Sequence, residues 1–448
     1  MKKTLITLAL VLSAFTAGSV ASGRSGVAAA SAEAPYIYAI RDARIVPVSG
    51  APVDKGTIVF RNGVITDVGA NVAVPPGAVI IDGSGLTVYP GLIDMGSTAG
   101  LTLPAVPRTE NPQTTEDVER AKAEYLLRTH LRASDHLDPT AATLAKAAAA
   151  GITSILATPS GDAFRGQSAL INTALPDDEP QIGALADERD GAMVINAPVA
   201  LHVTFSDRPA GGNAYPNSLM GVIAFVRQSL LDAQHWAVAK NRYDRALEAL
   251  QPALAGRLPV AFESETTREI LRSLDMARAF KLDPIITNGR EADTVAAELK
   301  AANARVILSL NYPKRPESIA PDADEPLRVL RERADAPKTA GALAKAGVQF
   351  AFATSGIEDP KDFIKNAAKA VQQGLSREDA VRALTLRAAT IAAAAGRVGS
   401  LESGKMANLL VTQGDLFDEK MQIKHVFVDG RPVDLDVASE SSNNRRGQ

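Results

Sequence analysis

The chain has 448 residues, with 48 Lys and Arg against 51 Asp and Glu, 5 His and no Cys. A formal charge of −3 gives no electrostatic reason to expect a nucleic-acid partner, and the lack of cysteine excludes disulfides, thiol nucleophiles, iron–sulfur clusters and zinc ribbons. With 46% apolar and 22% charged residues the composition is that of a globular protein, so any metal site must be built from five histidines and carboxylates.

At the start of the chain, Met1-Lys2-Lys3 precedes an uncharged apolar run, Thr4 to Phe15, and then small residues. This is the layout of a secretory signal peptide, too short for a comfortable membrane span. Ser19-Val20-Ala21 and Ala30-Ser31-Ala32 both place small residues at −3 and −1 of a cut. Residues 1–32 are therefore expected to be removed, after about residue 21 or 32, and the protein to be periplasmic or secreted. No second run approaches the roughly 20 apolar residues of a membrane helix, so no membrane anchor is expected.

From 36 to 90, short β-rich segments are punctuated by Gly and Pro, among them Tyr36–Ile40, Ala43–Val48, Gly56–Phe60, Val64–Val68 and Ala78–Asp82. Arg61-Asn62-Gly63 is a hairpin signal. The same texture returns in Ala407–Val411 and Ile423–Val428, the latter turned by Asp429-Gly430 into Pro432-Val433. Two β-rich pieces bracketing the chain predict a small discontinuous β-sandwich from 36–90 plus 398–437. Between them, over 91–397, apolar runs alternate with helix-period stretches. The runs are Gly91–Asp94, Gly151–Ala157, Ala192–Phe205, Pro259–Ser264, Pro284–Asn288, Ala304–Leu310 and Gln349–Thr354. The helical stretches are 140–150, 219–250, 266–281, 291–302, 325–346 (with Pro337 inside or breaking it), 360–373 and 377–395. Strands joined by crossover helices must be parallel, and about eight such units predict an α/β fold with a closed (β/α)8 barrel. Residues 438–448 read as a polar, disordered tail.

Several stretches, taken in order, resemble the amidohydrolase superfamily, in its imidazolonepropionase-like and Xaa-Pro dipeptidase-like branch. Tyr89-Pro90-Gly91-Leu92-Ile93-Asp94 resembles the entry to the first barrel strand, and Gly151-Ile152-Thr153-Ser154 the second. Tyr215–Gly221 with Arg227-Gln228 is similar to a stretch of exported members. Ala383-Leu384-Thr385 and Ala392–Gly396 look like the last helices, and Gly399–Lys405 with Ala407-Asn408-Leu409 like the return to the sandwich. The resemblance implies hydrolysis of carbon–nitrogen bonds by one or two divalent metals, such as zinc, at the C-terminal mouth of the barrel. There a metal-bound water is made acidic and a strand-8 aspartate serves as its base. Its ligands come from a His-x-His on strand 1, a lysine or glutamate on strand 4, histidines on strands 5 and 6, and that aspartate.

This sequence departs from the pattern at each securely aligned position. Gly96 and Thr98 stand where the two strand-1 histidines would be, Glu263 replaces the strand-5 histidine, Asn288 the strand-6 histidine, and Ser355 the strand-8 aspartate. His202 aligns with the strand-4 lysine. No metal and no other cofactor is therefore expected. Glu263 and Glu265, two apart on a strand, share a face and could form an acid/base pair or a carboxylate site with Asp94. The plainer reading places one or both past the strand end, at the N-terminus of helix 266–281, where acids are favoured. His130 and His136 lie six apart and share no helix face, so both read as surface or loop residues. His235 reads as packing, and His425 as part of the sandwich. Gln167-Ser168, Asn172 and Ser206–Ser218 read as loops at the barrel mouth.

The leading expectation is a non-catalytic pseudo-hydrolase that binds a small amide or peptide ligand, or an intact paralogue in a homo- or hetero-oligomer. The alternative is an active hydrolase of amide- or peptide-type bonds working through a site rebuilt from Glu263, Glu265, Asp94 and His202. A third reading is a purely structural subunit.

Overall fold

A computed structural model describes residues 37–104, 114–117, 125–174, 193–205, 215–239, 243–316, 318–320 and 322–436. The expected signal segment, the tail and part of the 206–218 loop lie outside these residues. The N-terminal strands are β1 (Ile37–Ile45), β2 (Val53–Arg61), β3 (Val64–Gly69), β4 (Val79–Asp82) and β5 (Leu86–Pro90). The central strands begin with β6 (Leu92–Ser97), β7 (Ile152–Ala157), β8 (Phe164–Gln167), β9 (Ala169–Asn172) and β10 (Val194–Asn196). They continue with β11 (Leu201–Thr204), β12 (Val260–Glu263), β13 (Pro284–Thr287), β14 (Arg305–Ser309) and β15 (Phe350–Ala353). The chain ends its regular structure with β16 (Leu409–Gln413), β17 (Gln422–Val428) and β18 (Arg431–Pro432).

The β-rich ends of the chain do combine. One eight-stranded sheet runs β18-β17-β16-β5-β1-β2-β3, with β4 parallel to β1. The two strands expected over 36–48 are one strand, β1. It bends where Asp42 adopts a φ of 58° and the register against β2 shifts, so the chain kinks without leaving the sheet. The Asn62-Gly63 turn has φ of 47° and 76°, and Asp429-Gly430 has 51° and 73°. Left-handed conformation at both central residues is what tight hairpins of this hand require. Ile40, Ile45, Ile58, Phe60, Leu409, Val411 and Phe427 bury a shared apolar layer against this sheet.

The segment between these ends has the mixed α/β character that its alternating pattern predicts. Strands β11 to β15 are mutually parallel neighbours in a six-stranded sheet, order β15-β14-β13-β12-β11-β8. A four-stranded sheet, β10-β9-β7-β6, holds the parallel pair β6–β7. The two sheets approach at β6 and β15, where the Ser355 N–H donates to the Gly96 carbonyl at 3.3 Å. Crossover helices follow the sequence. Helix Thr267–Phe280 buries Ile270, Leu274, Ala277 and Phe280, the one-sided spacing of a helix lying on a sheet. The long stretch expected over 377–395 is two helices, Arg377–Leu384 and Leu386–Ile391, broken at Thr385. The stretch over 325–346 is likewise divided by a 3-10 turn holding Pro337, which cannot donate to a continuing helix.

Asn408 ties the two-ended sheet to the central strands. Its carbonyl accepts from Gly91 N–H and its side chain donates to Ser154 Oγ (3.1 Å) and Asn172 Oδ1 (2.9 Å). Gly91 must be glycine here, because a Cβ would lie 2.1 Å from Thr153 Oγ1. Asn172 therefore belongs to this junction, and Gln167 is buried in β8 with its amide on the Thr129 carbonyl. Both were expected in loops at the mouth. Each instead closes an antiparallel strand, β8 or β9, which the crossover pattern does not announce.

Candidate functional site

The C-terminal ends of the parallel strands open into a cavity of about 730 Å³. Gly96 and Thr98 reach it from β6, Arg165 from β8, His202 from β11, Glu263 from β12, Asn288 from the turn after β13 and Ser355 from the turn after β15. The in-register pairs Thr204↔Glu263 and Glu263↔Thr287 bring these strand ends level.

The polar side chains at the mouth bind one another. Ser355 Oγ donates to Asn288 Oδ1 at 3.0 Å, and Asn288 Nδ2 donates to Glu263 Oε1 at 3.1 Å. The other Glu263 oxygen is in an ion pair with the Arg165 guanidinium, which also donates from Nε to the Gly161 carbonyl at 2.8 Å. Asn288 and Ser355 have φ of 68° and 44°. Left-handed backbone costs a non-glycine residue about 1 kcal/mol, so two such residues persist only where their surroundings hold them.

His202 is 4% exposed, and its Nε2 has no hydrogen-bond partner among the described residues. Burial, and then the neighbouring Arg165 charge, push the imidazole down to about 3, so it is neutral at physiological pH. Asp94 is 1% exposed and fully engaged. Its Oδ1 accepts from the backbone N–H of Thr354 (2.8 Å) and Gly96 (3.1 Å), and its Oδ2 from Thr354 Oγ1 (2.6 Å). Burial pushes this carboxyl above the usual carboxylate range, with the three hydrogen bonds acting against it. Asp94 thus laces β6 to β15 and presents no idle oxygen to the cavity.

Glu265 does not join Glu263. It lies past the end of β12, beside helix Thr267–Phe280, and is ion-paired with Arg290, which also holds Glu332. Burial raises its carboxyl, opposed by Arg290. The strand ends at Glu263, so the alternation that would have placed both acids on one face ends there too. Of the four residues proposed from sequence for a rebuilt site, only Glu263 and His202 face the cavity with side chains outside the Asp94 clamp. His235, read as packing, is exposed on helix Leu219–Ala239. His136 lies in a 3-10 turn, His130 is half-buried, and His425 sits on β17 beside Phe427.

Two residues at this site escaped the sequence reading. Thr354 closes the Asp94 clamp, and its neighbour Ser355 was the only hint. Arg165 is the single charged residue in Phe164-Arg165-Gly166-Gln167, but its place becomes visible only once β8 pairs with β11.

A divalent metal, which the superfamily resemblance implies, does not fit these donors. Gly96 offers no ligand atom, Thr98 offers an exposed neutral hydroxyl, and Asn288 Oδ1 is engaged by Ser355. The carboxylate of Glu263 is already neutralised by Arg165, leaving one imidazole nitrogen where such ions take three or more protein ligands. Among the described residues no group of three or more His, Asp and Glu is placed to hold a metal.

Comparison with known proteins agrees with the resemblance read from the sequence. The amidohydrolase family model matches residues 273–433, which contain Asn288 and Ser355 but not Gly96, Thr98 or Glu263. No curated protein matches the sequence. In fold the chain is similar to an amidohydrolase from Thermotoga maritima MSB8, with 23% identity, 88% of this chain and 99% of that one covered, and a TM-score of 0.71. It is also similar to a prolidase complexed with N-methylphosphonate-L-proline, with 17% identity, 89% and 99% covered, and a TM-score of 0.54. A putative prolidase from Bifidobacterium longum gives 17% identity, 91% and 99% covered, and a TM-score of 0.53.

Proposed function

We propose that this protein is an exported member of the amidohydrolase superfamily that has lost metal-dependent catalysis and binds a small amide or peptide ligand, or an intact paralogue. In this reading 91–397 is a (β/α)8 barrel closed at the β6–β15 seam, and 36–90 with 398–437 is the β-sandwich. One observation carries it. The side chains at the former ligand positions of strands 5, 6 and 8 are bonded to each other, Ser355 to Asn288 to Glu263, in place of a shared ion. The cavity they floor, about 730 Å³, is within the range of pockets that hold small molecules.

The rival reading, a hydrolase working through Glu263, Glu265, Asp94 and His202, needs these groups in one place. Asp94 is held by Thr354 and Gly96, and Glu265 by Arg290, so neither is available to a substrate over Glu263. The deciding experiment is elemental analysis of the purified protein together with a panel of dipeptides and cyclic amides. The expected result is substoichiometric Zn, Mn and Fe and no hydrolysis, with saturable binding of at least one compound or co-purification of a paralogue. Stoichiometric, tightly held metal with turnover would overturn the proposal. Fractionation of cells with antibody to the mature chain tests export, and recovery in the cytoplasm would refute it.

A further inference from the structure

We infer that the Arg165 guanidinium is the resident cation of this mouth, a positioning residue that does with a tethered charge what a divalent ion would do with a free one. It gathers Glu263, and through Glu263 the side chains of Asn288 and Ser355, so elements from β8, β12, β13 and β15 converge on it. The guanidinium is itself fixed from behind by the Gly161 carbonyl and is largely shielded from solvent. This inference rests on the metal-free reading given above.

The register supplies a second observation. His202 lies opposite Gly166 on one side and Ala261 on the other. Glu263 is two residues beyond Ala261, so His202 and Glu263 are diagonal neighbours on one face of the ladder, with Arg165 on the adjoining strand. All three line the same cavity. The His202 Nε2 is buried there without a partner among the described residues, a polar atom whose desolvation goes uncompensated. An imidazole nitrogen and a carboxylate aimed into one cavity are two of the ligand types a transition metal takes, and the tethered positive charge from β8, paired with that carboxylate, repels such an ion. Removing that charge leaves Glu263 unneutralised and turns an unfavourable site into a binding one.

The test compares the wild type with Arg165→Met, Arg165→Gln, Arg165→Lys and the double variant Arg165→Met/Glu263→Gln, each stripped with chelator and titrated with Co(II). Binding is read from the visible ligand-field absorption and from the thermal midpoint. The neutral variants should bind Co(II) at least about tenfold more tightly than the wild type, because a full unit charge has been removed at contact range. Their lowered thermal midpoints should rise on adding Co(II). Arg165→Lys should behave like the wild type, and the double variant should lose the gain. Should Arg165→Met and Arg165→Gln be recovered only unfolded, refolding in Co(II) should rescue them. Neutral variants that neither bind Co(II) better than the wild type nor are rescued by it overturn the inference and leave the metal-free reading intact. A wild type that itself holds Co(II) tightly overturns that reading, and the inference with it.

Discussion

Replacing Asp94 tests whether its carboxylate is a clamp or a reagent. In Asp94→Ala the backbone N–H groups of Gly96 and Thr354 lose their acceptor at a buried seam. A buried donor left unpaired costs about 1–3 kcal/mol, so two cost about 2–6 kcal/mol. The Thr354 hydroxyl adds little, since it already lies 3.5 Å from the Gly96 carbonyl and can donate there. Relief of a buried charge offsets part of the loss, and the net expectation is about 3 kcal/mol. Asp94→Asn keeps an Oδ1 acceptor for both N–H groups and should lose about 1 kcal/mol or less. The pH dependence has a definite sign. Burial raises this carboxyl in the fold above its value of 3.8, so its contribution is full below that pH and is lost as pH rises through the folded value. Asp94→Asn cannot ionise, and should therefore gain on the wild type between acidic pH and pH 8. Denaturant unfolding at pH 5 and pH 8 measures both effects. Equal losses in the two variants, or a loss below about 1 kcal/mol in Asp94→Ala, would refute the clamp.

The left-handed backbone at Asn288 predicts that Asn288→Ala costs about 1 kcal/mol more than Asn288→Gly, because both lose the bonds to Glu263 and Ser355 but only alanine carries a Cβ into φ of 68°. His202 is neutral in the fold with its ring at about 3, whereas the unfolded chain takes a proton below about 6.5. Stability from this group is thus full above pH 6.5 and falls toward pH 3 by about 4–5 kcal/mol. His202→Leu should show no such component in acid titrations of stability, and at pH 7 should unfold within about 1 kcal/mol of the wild type, since Nε2 has no bond to lose. Asn408→Ala should cost about 3 kcal/mol in denaturant unfolding, because Ser154, Asn172 and the Asp429 N–H all lose a partner at the junction between the two-ended sheet and the central strands.

What could be read from sequence follows from which interactions are local. The turns Asn62-Gly63 and Asp429-Gly430 announce their hairpins because φ above zero is a property of the residues themselves. The strand that ends at Glu263, and the turns carrying Asn288 and Ser355, were legible because each lies in or directly after an apolar run followed by a crossover helix. Arg165 was not legible. It sits on a short antiparallel strand at the edge of the six-stranded sheet, and its partner Glu263 is nearly a hundred residues away. Asp94 looked like a reagent for the same reason, since the threonine that engages it lies 260 positions along the chain. Glu265 lies where the plainer reading placed it, past the strand end and beside the start of the next helix, because alternation stops with the strand at Glu263. Sequence periodicity therefore located the strands, and the resemblance singled out Glu263, Asn288 and Ser355 at their ends, while the pairings that decide the chemistry depended on contacts between distant segments.

On the proposed reading, loss of ligands at a metal centre would ordinarily leave several polar groups facing inward without partners, and each such group is expensive in a packed interior. The mouth of this protein avoids most of that cost by closing on itself, His202 Nε2 being the exception. Glycine at position 96 removes a side chain altogether, and a Cβ there would already stand 3.3 Å from that of Ala353. Serine, asparagine and glutamate form a linked chain, and the Glu263 carboxylate meets Arg165, which reaches it from β8, two strands away in the sheet. That opposite charges pair at the floor of the cavity bears on what enters it. A strongly charged ligand must compete with the Arg165–Glu263 pair, whereas an uncharged amide can satisfy the His202 nitrogen without disturbing it. Under the proposed metal-free reading, the same pairing that disfavours a metal favours a neutral, hydrogen-bonding guest.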